Sequence, residues 1–247
     1  MAYRFATDRA DRSDLASGTV LRSAPGHPGY PVRLAEELLG RVLSHLPERR
    51  PAGLWDPCCG SGHLAASLGL LHRAELAHVL AGDADPDAVG IARRNLALLA
   101  PGGLAERERE LLAAGAGTGR GSFAERAAAA RRLAAVLEAG GGPLPAEARV
   151  EDAFRPGSPP RPVDAVITDV PYGGLARWHG APPGADPVHA LLTAVAGVLP
   201  DHAVLAVSAR ARKVALPAGV AALERVRVGN RAAVLVRAAD LRPAAER

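Results

Sequence analysis

Apolar residues along this chain repeat with two different periods, and the change from one to the other sets out the fold. Over residues 32–46 they recur every four positions, at Leu34, Leu38, Val42 and Leu46, as the stripe of an amphipathic helix does. From Gly53 onward, short apolar strands alternate with helical runs. Leu54-Trp55 leads through a turn into a helix over 63–71. Residues 79–83 form a second strand, and Pro86, suited to a first helical turn, opens a helix reaching about Leu99. Residues 148–150 and 163–168 read as the third and fourth strands, 188–199 as a helix and 203–207 as the fifth strand. Gly229-Asn230 joins 226–228 to 232–236 as a terminal hairpin.

Two stretches stand outside this alternation. Residues 1–30 are irregular, broken by Pro25, Pro28, Gly26 and Gly29. Residues 101–146 look inserted: Arg/Glu/Ala-rich helical segments interrupted by a glycine-rich stretch over 115–121, with a helix over 126–137 stopped by Gly140-Gly141-Gly142. The pattern predicts an α/β fold, a mostly parallel seven-stranded sheet with helices on both faces and a C-terminal antiparallel hairpin. Residues 1–50 are an N-terminal helical extension, and 51–247 form one domain with a helical insertion at about 101–146.

Composition adds exclusions. Only Cys58 and Cys59 occur, adjacent, which excludes a disulfide framework and lacks the spacing of a structural zinc site, so no metal is expected. No uncharged apolar run approaches the ~18 residues of a membrane span, and the N-terminus has no signal-peptide core, so the expectation is a soluble cytoplasmic protein, with a monomer favoured. Alanine occurs 53 times, and 29 of the 30 basic residues are arginine, with Lys213 the exception. A GC-rich coding sequence accounts for most of that bias. The charge is uneven: residues 51–100 and 151–200 each carry 3 basic and 5 acidic side chains, whereas 201–247 carry 9 and 4. The basic surplus lies in the flanks, where an anionic partner would be met.

The chemistry lies in the two acidic blocks. Gly60-Ser61-Gly62-His63-Leu64-Ala65 fits G-x-G-x-x-G/A after a strand, a turn that lets backbone approach a ligand at a helix N-terminus. Asp83 ends the next strand, about 20 residues on, where a carboxylate grips ribose hydroxyls. That much also fits an NAD(P)-dependent oxidoreductase. The second motif, Asp169-Val170-Pro171-Tyr172-Gly173, follows the fourth strand. It combines a carboxylate that accepts an N–H, a rigid proline that presents its carbonyl, and a ring that stacks on a base.

Asp56-Pro57-Cys58-Cys59-Gly60-Ser61-Gly62 resembles motif I of class I S-adenosylmethionine-dependent methyltransferases, and Asp83-Ala84-Asp85-Pro86 with Asn95 resembles their next motif. The resemblance implies a Rossmann-like fold with S-adenosylmethionine held by Asp56, Cys58, Gly60, Gly62 and Asp83, and with Asp152 toward the adenine. The second motif resembles the D/N-P-P-Y/F segment of methyltransferases that act on planar nitrogens, which makes Asp169, Pro171 and Tyr172 the catalytic candidates. Val170 in place of proline is similar to the guanine-specific version. Tyr30-Pro31-Val32-Arg33-Leu34-Ala35, Leu68-Gly69-Leu70-Leu71-His72-Arg73 and the ending Ala232 to Asp240 extend the likeness over nearly the whole chain, to the AviRa family of avilamycin-resistance rRNA methyltransferases. That implies methylation of a guanine, at N1, in large-subunit rRNA, and resistance to orthosomycin antibiotics. Trp178, His179, Arg210, Arg212 and Lys213 are weaker candidates for RNA contact. The alternatives are another planar nitrogen (adenine N6, guanine N2 or a protein glutamine), the oxidoreductase, and a non-catalytic RNA-binding module.

Overall fold

In a computed structural model, which describes residues 3–16, 18–48, 50–116, 121–171 and 178–242, seven strands form one sheet. They are β1 (Ala52–Asp56), β2 (Leu76–Asp83), β3 (Ala146–Val150), β4 (Ala165–Asp169), β5 (Val204–Ala209), β6 (Glu224–Val228) and β7 (Arg231–Arg237). Their spatial order is β3-β2-β1-β4-β5-β7-β6. The first five pair in parallel, and β7 runs antiparallel between β5 and β6. This is the expected α/β architecture; most strands are longer than expected by one to three residues, whereas β4 starts two residues later than the expected 163 and β5 one later than the expected 203.

Side chains on successive strand residues go to opposite faces, and each face has its own apolar core. Leu54, Ala165, Ile167, Val204 and Leu235 pack on one side, whereas Trp55, Val166, Leu205 and Val234 pack on the other. The first core takes the apolar faces of α1 (Val32–Ser44), α2 (His63–Leu71), α3 (Pro86–Leu96), α4 (Gly103–Gly115) and α5 (Gly121–Ala139). The second takes α6 (Pro187–Ala196). α3 and α6 start as their sequences require: Asp85 accepts the Asp87 N–H at 2.9 Å, Asp186 accepts the His189 N–H at 3.0 Å, and a proline follows each cap. α3 ends at Leu96 and tightens into a 3-10 turn over Ala97–Leu99, and α5 begins five residues before the expected Arg126.

The N-terminal segment is sewn onto this frame. α1 packs on α2 and on the sheet, and Glu37 accepts backbone N–H groups from Arg4, Phe5 and Ala6 at 2.8–3.0 Å. Asn95, fully buried on α3, donates to the carbonyls of Arg22 and Ser61, both at 2.9 Å. One side chain thereby fixes both the extension and the glycine turn. β1 has β2 on one side and β4 on the other, so the chain reverses its direction of travel there, and a crevice opens beyond the strands' C-terminal ends.

Candidate active site

The turn after β1 is shaped by its own backbone. Gly60 (φ 52°) and Gly62 (φ 72°) adopt the left-handed conformation that side-chain-bearing residues avoid. A Cβ on Gly62 would also sit 3.0 Å from Ala92 of α3. The turn is held to β2 by Cys59 N–H to Gly82 O at 2.8 Å and by Gly60 N–H to Asp83 Oδ2 at 2.7 Å. Asp83 Oδ1 takes the Asp85 N–H at 3.0 Å. Each Asp83 oxygen thus accepts one backbone hydrogen and keeps a lone pair. His63, the first residue of α2, accepts the Tyr30 N–H at Nδ1 (3.2 Å), so Nε2 carries the hydrogen that meets Leu15 O at 2.8 Å. Burial lowers its pKa, in keeping with this neutral form.

Asp169 ends β4 inside a hydrogen-bonded chain. Burial pushes up the pKa of the Tyr30 hydroxyl, which stays protonated and donates to Ser208 Oγ at 2.9 Å. Ser208 donates in turn to Asp169 Oδ1 at 2.8 Å, and the same oxygen accepts from the guanidinium of Arg231. Arg231 is 6% exposed and lies over the Tyr30 ring, 4.9 Å from its centroid. Four segments distant in sequence therefore converge on one carboxylate, and among the described residues its Oδ2 has no protein partner.

The two motifs open onto a single cleft of about 470 Å³. Asp56, Cys58, Gly60, Asp83, Asp169, Pro171, Trp178, His179 and Arg210 line it, as the sequence predicts. Gly62 lies behind the lining and shapes the turn. Asp152 does not line the cleft: its Oδ1 accepts the Phe154 N–H at 2.9 Å and closes a turn, leaving its neighbours Ala153 and Phe154 to face inward. Arg212 and Lys213 are exposed outside the lining. Tyr172 lies outside the described residues. Trp178 packs on Phe154, with ring centroids 5.6 Å apart, which puts an aromatic pair on the Asp152 side of the cleft.

Sequence reasoning missed His27, Tyr30, Phe154 and Arg231, all of which line the cleft, and Ser208 behind it. The one signal for Arg231 is its place immediately before the apolar run of β7, a lone cation where the pattern calls for core.

Burial of Asp56 (1% exposed) raises its pKa from 3.8 to about 7, reinforced by the charges of Asp83 and Asp169, against hydrogen bonds from Thr168 Oγ1 (2.7 Å) and Cys58 N–H (3.3 Å). Burial, with the charges of Asp56 and Asp83, pushes the Cys58 and Cys59 thiols up, so neither is a ready thiolate. A cleft with these carboxylates, a glycine turn at a helix N-terminus and an aromatic pair suits a ligand with a cationic group, a ribose and a purine.

Comparison with known proteins bears on that chemistry. The family model described as rRNA methyltransferase AviRa matches residues 1–231. The chain is 51% identical over 248 residues to the 23S rRNA (guanine(2535)-N(1))-methyltransferase of Streptomyces viridochromogenes, covering 97% of both proteins. Two solved structures of the rRNA methyltransferase aviRa from that organism, at 1.5 and 2.4 Å, superpose with TM-scores of 0.89 and 0.88, at 50% and 51% identity over 98% of each chain. These relatives are methyltransferases, which argues against the oxidoreductase reading. Among the described residues no helix is long and apolar enough to cross a membrane.

Proposed function

Because the chain belongs to the AviRa family of rRNA methyltransferases, we propose that it methylates N1 of a guanine in large-subunit 23S rRNA, with S-adenosylmethionine as donor. The observation that carries this reading is that the glycine turn and the Asp169-Val170-Pro171 segment line one cleft. Bound there, S-adenosylmethionine would supply an electrophilic methyl carbon on a sulfonium, whose sulfur would keep the C–S bonding pair as a neutral thioether product.

The chain's own groups do the rest. Asp56 meets the cationic amino-acid end, and the backbone at Cys58 and Gly60 follows it, with Gly62 behind them holding the turn in shape. Asp83 takes the ribose hydroxyls on its spare lone pairs. Asp152 shapes the adenine side, where Phe154 and Trp178 supply ring faces. Asp169 accepts the N–H of the target base, Pro171 offers its carbonyl, and Tyr172, assigned on sequence alone, stacks on the base. Holding these partners in line supplies much of the rate. Extracting the base from its stack costs a few kcal/mol, which phosphate contacts by the basic C-terminal flank offset. In this reading residues 1–50 are an extension that lends Tyr30 to the site, 51–247 are the methyltransferase domain, and the enzyme works as a cytoplasmic monomer beside its ribosomal substrate. Resistance to orthosomycins such as avilamycin follows from the modified rRNA.

The test is transfer of tritiated methyl from S-adenosylmethionine to 23S rRNA and to large ribosomal subunits, followed by mass spectrometry of the digested RNA. N1-methylguanine is the expected product. A methylated adenine, N2-methylguanine or methylated ribosomal protein would overturn the substrate assignment, and no transfer to either substrate would overturn the enzyme. Unchanged susceptibility of a sensitive host expressing the gene would sink the resistance reading.

A further inference from the structure

Asp169 and Arg231 are a carboxylate and a guanidinium side by side at one cleft wall, and only the carboxylate has a role so far. Arg231 comes from β7, is 6% exposed, and lines the cleft. Among the described residues its only hydrogen-bond acceptor is Asp169 Oδ1. A guanidinium has five N–H groups in a planar fork. One faces Asp169 while the Tyr30 ring covers the plane, so donors remain for whatever occupies the cleft. A buried arginine with spare donors beside a carboxylate with a spare oxygen is a matched acceptor–donor edge, and no other described residue pairs with it.

We propose that Arg231 is a catalytic residue, which with Asp169 reads the N1–H and O6 edge of guanine. The proposal rests on the reading of this chain as a guanine methyltransferase. Asp169 Oδ2 accepts the N1–H, and Arg231 donates to the neighbouring carbonyl oxygen O6. As the N1 proton passes to Asp169, the pair of the broken N–H bond spreads over N1 and O6, where the guanidinium meets the developing charge. That pair then forms the N1–methyl bond. Adenine offers the reverse edge, a lone pair at N1 and an amino donor at C6, which would set acceptor against acceptor at Asp169 and donor against donor at Arg231. The Tyr30–Ser208 chain fixes Asp169 Oδ1, so the pair is pre-set before the base arrives.

The experiment is single-turnover methylation of 23S rRNA by D169N, R231Q and R231K, with cofactor affinity from calorimetry and RNA affinity from filter binding. R231Q should slow methyl transfer by about 100-fold, the effect of losing one charge-stabilising donor, with both affinities within threefold of wild type. Its deficit should narrow between pH 7 and 9, because a base that ionises in solution needs the guanidinium less. A purely structural role would not produce that pH dependence. If R231Q does not fold, R231K decides: it keeps the charge but not the fork, and should lose at least about tenfold. A folded R231Q, or failing that R231K, within threefold of wild type overturns the proposal, as does a defect confined to RNA affinity. A dead D169N beside a normal Arg231 variant overturns this proposal alone; a fully active D169N overturns it together with the assignment of Asp169.

Discussion

Replacing Asp56 by asparagine should make the ligand-free protein more stable and its cofactor binding worse, two effects of opposite sign from one buried charge. The folded protein holds the Asp56 carboxyl at about 7, against an ordinary value of 3.8, chiefly through burial. At about 1.4 kcal/mol per tenfold in proton affinity, carrying that charge at pH 8 costs the fold about 4 kcal/mol. The folded value lies above the unfolded one, so the cost is complete above pH 7 and fades as pH falls toward 3.8. At pH 4.5 about 1 kcal/mol remains. Asparagine keeps a carbonyl for Thr168 Oγ1 and the Cys58 N–H but brings an amide that needs an acceptor, so about half of the cost should be recovered. A gain of about 2 kcal/mol raises the Tm of a chain this size by roughly 4–8 °C.

Calorimetry reads the other side. Loss of the only charged partner proposed for the cationic end of S-adenosylmethionine should weaken its Kd by at least about 30-fold. In the wild type, binding at pH 6 should expel a proton from Asp56, visible as a heat that depends on the buffer, and affinity should fall about tenfold per pH unit below 7. A D56N Tm that is unchanged or lower at pH 8, or a gain equal at pH 8 and 4.5, would show that Asp56 carries no buried charge. Buffer-independent heats at pH 6 would remove it from the cofactor.

Three further expectations rest on separate observations. Gly62→Val places a side chain at φ 72° and 3.0 Å from Ala92; it should lower stability by about 1–3 kcal/mol and abolish cofactor binding, and normal binding by calorimetry would refute the turn geometry. The R212Q/K213Q pair should weaken RNA binding and reduce the slope of log K against log salt by about one for each phosphate that these two cations neutralise, while leaving the cofactor Kd unchanged; an unaltered salt slope would move the RNA elsewhere. Burial opposes charge on His72, but Glu36 (3.6 Å) and Glu75 (2.5 Å) outweigh it and raise its pKa to about 9. The folded value exceeds the free 6.5, so this contribution is full below pH 6.5 and is lost as pH rises through 9. Chemical denaturation should show a loss of about 1–2 kcal/mol over that window, after screening, and H72Q should flatten it.

How much of this was legible depends on the distance over which each feature is encoded. The strands and helices are local and periodic, and their order left one sheet class open. The glycine turn and Asp169 are equally local, because a motif carries its ligand chemistry within a few residues. Asp152 was legible as a residue after β3 but not as one whose carboxylate turns back to the Phe154 N–H. Arg231 was not legible as a site residue. It reaches Asp169 across 62 positions because β7 inserts antiparallel beside β5, so that Ser208 pairs with Ala233 and Ala209 with Ala232. The sequence pattern pairs β7 with β6 as a hairpin but does not say which strand β7 joins on its other edge.

The same distinction settles what the arginine excess means. Much of it is taken up in ion pairs within the chain, some buried and some at the surface: Arg12 meets Glu36, Arg41 meets Glu37 and Glu224, Arg50 meets Asp164, Arg132 meets Asp14 and Glu125, and Arg242 meets Asp201. Those cations have partners already and add little to the attraction for a polyanion. Among the described residues, Arg210, Arg212 and Lys213 form no ion pair, and all three are exposed in the loop after β5. Arg210 also reaches the rim of a cleft lined by four carboxylates, Asp56, Asp83, Asp85 and Asp169. Under the proposed function, a phosphate chain would be repelled by that floor and drawn to that rim, so the RNA backbone would settle on the loop while only a neutral base entered below.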